Sequence, residues 1–276
     1  MLRSVLALLL LACPACSRAE PDAPPAAAPT GRPGTPGATT GPATAATVAA
    51  SPGPPDTFQV SGELYEFDYS YPAEAGRIPA LRASLDAERD KLRGQLFAEA
   101  RQGRDEARQA GFEYQPHALA QAWLKVAETP RFLSLSAQVY TFAGGAHPNH
   151  GFDSLVWDKQ ANARVEPLAL FLSPAAFDRA VQARFCAELD RQRAKRREAP
   201  VRRDSGDEFD RCIAPSEQTV ILGSSTGRAI DRIGVLVAPY AAGPYVEGDY
   251  EVTLPVTPAV LAAVRPQFRP AFAPLR

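Results

Sequence analysis

The stretch Tyr140 to Phe171, YTFAGGAHPNHGFDSLVWDKQANARVEPLALF, organises the reading of this chain. It opens on an aromatic strand end and passes through a glycine-rich loop with two histidines. Gly144-Gly145 supplies backbone freedom that no other residue gives. His147-Pro148-Asn149-His150-Gly151 then crowds polar side chains and turn-formers into five positions. Phe152 to Asp158 resumes as a strand, and Lys159 to Asn162 has turn chemistry. A loop of this composition between strands is the best candidate for a functional surface.

Outward from that loop, strand and helix patterns come in groups. Tyr65, Phe67, Tyr69 and Tyr71 alternate with Glu66, Asp68 and Ser70, the period-two pattern of a strand with one aromatic face. Ile78, Leu81, Leu85, Leu92 and Leu96 share a helical face, so Pro79 to Ala110 reads as an amphipathic helix closed by Gly111. Ala118 to Glu128 and Phe132 to Phe142 form a strand pair across Thr129-Pro130-Arg131. Ser173-Pro174 is an N-cap with proline at the first helical position, and Phe177, Val181, Phe185 and Leu189 mark the buried stripe of the helix that follows. Its end, Arg191 to Arg203, is strongly basic and reads as a solvated face, with a docking site for an anionic partner as the alternative. Gln218 to Leu222 and Ala229 to Ala238 make another strand pair, Tyr240 to Asp249 a second glycine-bearing loop, Tyr250 to Val256 a strand, and Pro258 to Val264 a short helix. Grouped rather than alternating elements predict an α+β fold, with antiparallel sheet, two main amphipathic helices and a short C-terminal helix.

The first fifth of the 276 residues is of another kind. Met1-Leu2-Arg3 and the apolar run Val5 to Ala12 form a secretory signal, too short to span a bilayer. Leu10-Leu11-Ala12-Cys13 resembles a bacterial lipoprotein signal box, making Cys13 the expected lipidation position and Cys16 the alternative. Residues 1–16 are therefore assigned to the signal region. Residues 17–56, rich in Pro, Ala, Gly and Thr, hold too little apolar surface to offset ordering entropy and are assigned to a tether. Residues 57–276 form the folded extracytoplasmic domain, with a subdivision into 57–139 and 140–276 kept open. The expected location is the cell envelope, lipid-anchored and facing the periplasm, or else a soluble periplasmic or secreted protein. A net charge of -1 argues against a nucleic-acid binder, which would usually show a strongly basic domain.

Four chemical patterns bear on function. Cys186 and Cys212 flank the charged segment, and in an oxidising compartment they are expected to form a disulfide. Gly223-Ser224-Ser225-Thr226-Gly227 matches a hydrolase elbow, but strand-like residues follow it and no histidine comes later, so it reads as a hairpin turn. His147, His150 and Asp153 include zinc-ligand types, yet Pro148 and Gly151 break helical spacing, so no metal and no cofactor is expected. Tyr240, Tyr245 and Tyr250, with Phe142, Phe152 and Trp157, could stack on sugar rings, Tyr245 above all because it lies in a loop.

Gly144-Gly145-Ala146-His147, the following strand with Asp158, Leu168 to Phe171, and the loop Gly243 to Gly248 together resemble an RsiV/PdaC-type bacterial envelope domain family. That domain occurs in the ectodomain of lysozyme-binding anti-sigma factors and ahead of the catalytic domain of peptidoglycan deacetylases. The resemblance runs from about Thr57 to Phe268. The sequence shows neither the transmembrane and cytoplasmic segments of the former nor the metal-binding motifs of the latter. The resemblance thus implies a non-enzymatic binding module for peptidoglycan glycan or a lysozyme-type muramidase, tethered to the membrane through its lipid. It implies a surface built from the loops Gly144–Gly151 and Gly243–Gly248. There Glu247 and Asp249 would suit a basic protein, Asn149 and His150 would suit sugar hydroxyls, and His147 and Tyr245 complete the set. The alternative is an enzyme acting on envelope polymers through a site centred on His147 and Asp153.

Overall fold

Strand β1 (Asp56–Ser61) starts the structure, a computed structural model that describes residues 56–274. The signal region, Cys13 and Cys16 lie outside those residues. So does the tether, except Asp56: its carboxylate accepts from the Tyr71 hydroxyl at 3.0 Å, so the fold begins one residue before Thr57. The strand itself is unexpected from sequence, because Phe58 and Val60 are its only apolar residues.

β1 pairs antiparallel with β2 (Tyr65–Tyr71), whose Phe67, Tyr69 and Tyr71 point into a core. The four-residue α1 (Ala73–Gly76) leads into α2 (Pro79–Ala110), which has proline in its first turn and Gly111 as a left-handed C-cap. The crossover makes β3 (His117–Glu128) parallel to β2. Antiparallel β4 (Phe132–Phe142), β5 (Asn149–Asp158) and the short β6 (Ala163–Val165) complete a six-stranded sheet in sequence order. β5 begins three residues earlier than the sequence suggests: Asn149 and His150 pair with Thr141 and Tyr140, so the histidine-bearing loop is shorter than expected.

β4 and β5 send alternate residues to opposite faces. Leu133, Leu135, Leu155 and Trp157 join β2 and α2 in one core. Phe132 and Val156 join a second core. That core is closed by α3 (Pro174–Arg197) and a three-stranded antiparallel sheet of β7 (Thr219–Gly223), β8 (Arg232–Val237) and β9 (Tyr250–Pro255). The Ser173 hydroxyl caps α3 by accepting from Ala176 N–H at 3.1 Å. Helix α4 (Pro258–Ala263) packs beside it. The result is α+β, with one parallel pair in otherwise antiparallel sheets.

One polar cluster lies between α2 and the large sheet. Glu88 Oε1 accepts from Tyr69 Oη at 2.9 Å, Gln121 Nε2 at 2.9 Å and Trp123 Nε1 at 3.2 Å, and Oε2 accepts from Arg164 at 2.6 Å. Burial and the neighbouring Glu88 push the Tyr69 phenol well above its usual range. The G-x-S-x-G segment is a hairpin turn between β7 and β8, with the Ser225 hydroxyl donating to Asp231.

Cys186 in α3 is bonded to Cys212, their Cα atoms 5.5 Å apart and 26 positions apart in sequence. Closing that loop removes unfolded-state entropy. The double variant Cys186→Ala, Cys212→Ala is expected to lose about 2–4 kcal/mol of unfolding free energy. Denaturant unfolding with and without reductant checks this, and an unchanged wild-type midpoint in reductant would refute it.

Candidate functional site

The small sheet covers only part of the large one. Where β3, β4 and β5 remain open, their outward residues form a groove of ≈ 340 Å³. Ala120 and Ala122 make its floor, Gln138 and Tyr140 rise from β4, His150 and Phe152 from β5, and Asp249 stands at one end.

The two glycine-bearing loops meet beside this groove. His147 stacks on Tyr245 with ring centroids 4.4 Å apart, and Tyr245 lies 5.4 Å from Tyr240. The Tyr245 hydroxyl donates to the Pro148 carbonyl at 3.0 Å, tying one loop to the other. His147 Nδ1 lies 3.0 Å from that same carbonyl, and Nε2 lies 3.4 Å from the Tyr240 hydroxyl. His150 continues the array, 6.5 Å from Tyr245 and 5.3 Å from Tyr140. Rings therefore run without a break from the groove wall to an exposed crest. Gly144 makes the turn before His147 with φ 78°, in the left-handed region.

A rigid base holds the second loop. Tyr240 has φ 69°, a strained value for a bulky side chain, and it is 52 % exposed. Two residues on, the Ala242 carbonyl accepts from Nε of the fully buried Arg193 at 2.8 Å. Arg193 Nη1 also donates to the Arg211 carbonyl at 2.9 Å, next to the disulfide. Burial pulls the Arg193 pKa below its ordinary value. One turn later Arg197 pairs with Glu247 at 2.8 Å and Asp210 at 2.7 Å. A Cβ at Gly243 would meet the Glu247 carboxylate, so a side chain there would displace the group that Arg197 holds. Arg196 lies over the Tyr250 ring at 4.0 Å. The basic end of α3 is therefore divided: Arg193 and Arg197 turn inward and clamp loops 203–212 and 240–249, while Arg191, Lys195 and Arg196 stay on the expected solvated face.

The expected site residues part company accordingly. His147, His150 and Tyr245 come together, and Asp249 joins His150 at the groove. Asn149 turns to the opposite face of β5 from His150 and does not line the groove. Glu247 is engaged by Arg197 and by the Tyr250 hydroxyl within the fold. Asp153 does not meet His147. It lies on the other face of β5 with Arg164 4.0 Å away, and burial raises its carboxyl pKa. His147 sits in the preceding loop against Tyr245 and Tyr240, and no hydrogen bond joins it to Asp153. Among the described residues no three His, Cys, Asp or Glu side chains converge as metal ligands. Of the other aromatics, Trp157 and Tyr250 are core residues. Ala120, Ala122, Gln138 and Tyr140 are members that sequence reading missed. Their signal was present in the alternation of FLSLSAQVYTF and ALAQAWLK, which puts small residues beside tall ones on one face.

Part of the chain is similar to a known family. Residues 59–150 match the family model described as Deacetylase PdaC. The matched segment spans most of β1 through the start of β5, and so includes the groove floor, Tyr140 and His150. No curated protein matches the chain. A crystal structure of a DUF3298-family member from Bacteroides fragilis NCTC 9343 is 15% identical with a TM-score of 0.43, over 73% of this chain and 90% of that one. Another from Pseudomonas aeruginosa PAO1 is 16% identical with a TM-score of 0.46, over 81% of this chain and 97% of that one.

The Tyr250 phenol, buried and donating to Glu247, has its pKa pushed up to about 12. A raised folded pKa stabilises the fold fully below the unfolded value of about 10, and that contribution is lost as pH rises towards 12. Unfolding free energy is therefore expected to fall between about pH 10 and 12. Tyr250→Phe should flatten part of that slope in denaturant titrations, whereas an identical slope would place the alkaline loss elsewhere.

Proposed function

We propose that the chain is a non-enzymatic binding module of the bacterial cell envelope, with peptidoglycan glycan as its ligand class. The observation that carries this is the unbroken ring array from Tyr140 through His150, Tyr245 and His147 to Tyr240, bordering an open groove. Flat rings offer stacking faces to pyranose rings. Gln138, His150 and Asp249 add polar groups for hydroxyls, and the rigid clamp beneath Tyr240 limits the ordering cost of binding. The resemblance to a segment that precedes a peptidoglycan deacetylase's catalytic domain supports the same ligand class.

A muramidase-type protein is the other reading, because Tyr240 and the 90 % exposed Val246 project from the crest. It loses one of its two acidic contacts, since Glu247 is held inside the fold by Arg197. Display at the membrane would follow from a lipid on Cys13, with the residues before Asp56 as spacer.

Calorimetric titration with soluble muropeptides is expected to show binding that Tyr245→Ala and Tyr140→Ala each weaken by several fold to about tenfold. Lysozyme is titrated in parallel. Lysozyme binding that Asp249→Ala abolishes, without muropeptide binding, would replace the glycan reading with the protein one. For the anchor, Cys13→Ser with Cys16→Ser should move the protein from membranes to the soluble fraction, and Cys16→Ser alone should not. Retention of the double variant on membranes would rule out lipidation there.

A further inference from the structure

Register lays out the open sheet face in rows. Asp68, Ala120, Tyr140 and His150 lie side by side across four strands, and Ser70, Ala122, Gln138 and Phe152 form the next row. With neighbouring strands about 4.8 Å apart, the alanines make a trough about 10 Å across from β2 to β4. One bank is aromatic. The other is acidic: β2 presents Glu66 and Asp68, both exposed, and Asp249 closes the end.

These carboxylates differ from three others on the sheet or packed near it. Glu74, Asp158 and Glu88 are paired with Lys125, Arg131 and Arg164. Among the described residues Glu66, Asp68 and Asp249 enter none of the salt bridges, and no lysine or arginine lines the groove. A trough with an alanine floor, an aromatic bank and an uncompensated acidic bank is a complementary environment for a ring-shaped ligand that carries positive charge. An ammonium group is attracted by carboxylates and also by the faces of tyrosine and phenylalanine.

We infer that the groove selects saccharides bearing free amino groups, that is, an amino-sugar chain in its ammonium form rather than its N-acylated form. This rests on the saccharide reading above. An N-acyl group removes the charge that Asp68 and Asp249 would meet while leaving the sugar faces unchanged, so the two forms of one oligomer isolate the acidic bank.

The test is calorimetry on the full chain with three probes: a β-1,4-linked glucosamine hexamer, its fully N-acetylated counterpart, and hexalysine. The free-amine hexamer is expected to bind about tenfold or more tightly than the acetylated one, equivalent to about 1.4 kcal/mol. That preference should shrink as salt rises. It should collapse in Asp68→Asn with Asp249→Asn, and partly in Glu66→Gln; these residues are exposed, and circular dichroism checks that the variants stay folded. An acetylated hexamer that binds as tightly as the free amine overturns the selectivity and leaves the saccharide reading standing. Hexalysine binding as tightly as the glucosamine hexamer overturns it too, because charge alone would then be recognised. A preference that survives the double variant places the charge recognition elsewhere and overturns the assignment to this groove. Failure of both sugars to bind overturns the saccharide reading itself.

Discussion

Arg193 ties the second half of this fold together. Its guanidinium is removed from water and satisfies two main-chain carbonyls from different loops, Ala242 and Arg211, while Nη2 has no partner. Burying a cation this way is costly unless its donors are used. Here two nitrogens are used on backbone, which turns the cost into positional order. Cys186, Leu189, Arg193 and Arg197 follow at helical spacing, so one face of α3 carries the disulfide, a core contact, the buried guanidinium and the ion pairs to Asp210 and Glu247. Take that face away and the loop carrying the strained backbone at Tyr240 loses its anchor at Ala242.

The large sheet plays the complementary part. It separates two cores, and its strands β4 and β5 are buried on both sides where they are covered on both sides, with Ser134 and Ser154 among leucine, valine and aromatic residues. Where the small sheet stops, the outward residues change to Ala, Gln, Tyr and His. The groove is thus the place where a sheet designed for two-sided burial loses one of its covers.

Much of this was legible in the sequence, because periodicity reports burial. Aromatic alternation in β2, the leucine stripe of α2 with its Gly111 stop, and the Ser173-Pro174 cap each state a local rule that the structure obeys. β1 was not legible: two apolar residues in six give little period, and the strand exists because β2 offers it an edge. The role of the arginines was hidden for a different reason. Arg191 to Arg203 reads as a charge run, and only tertiary contact with residues some fifty positions away distinguishes a buried Arg193 from its exposed neighbours. The site was half visible for the same cause. Both loops were found by their glycines and aromatics, but β-strand alternation decided that His150 faces the groove while Asn149 and Asp153 do not.

β5 has a second property that follows from the shortness of β6. Only Val156 to Asp158 gain a neighbour on that side, which leaves the backbone from His150 to Ser154 as a sheet edge. Side chains occupy part of it: Thr219 donates to the Phe152 carbonyl at 3.2 Å, and the Asp153 carboxylate accepts from Ser154 N–H at 2.7 Å. Each backbone group taken in this way is one fewer for a foreign strand to pair with. The segment is thereby less able to pair edge to edge with a second copy of the chain, and the Asp153 carboxylate acts there as a cap on its own strand.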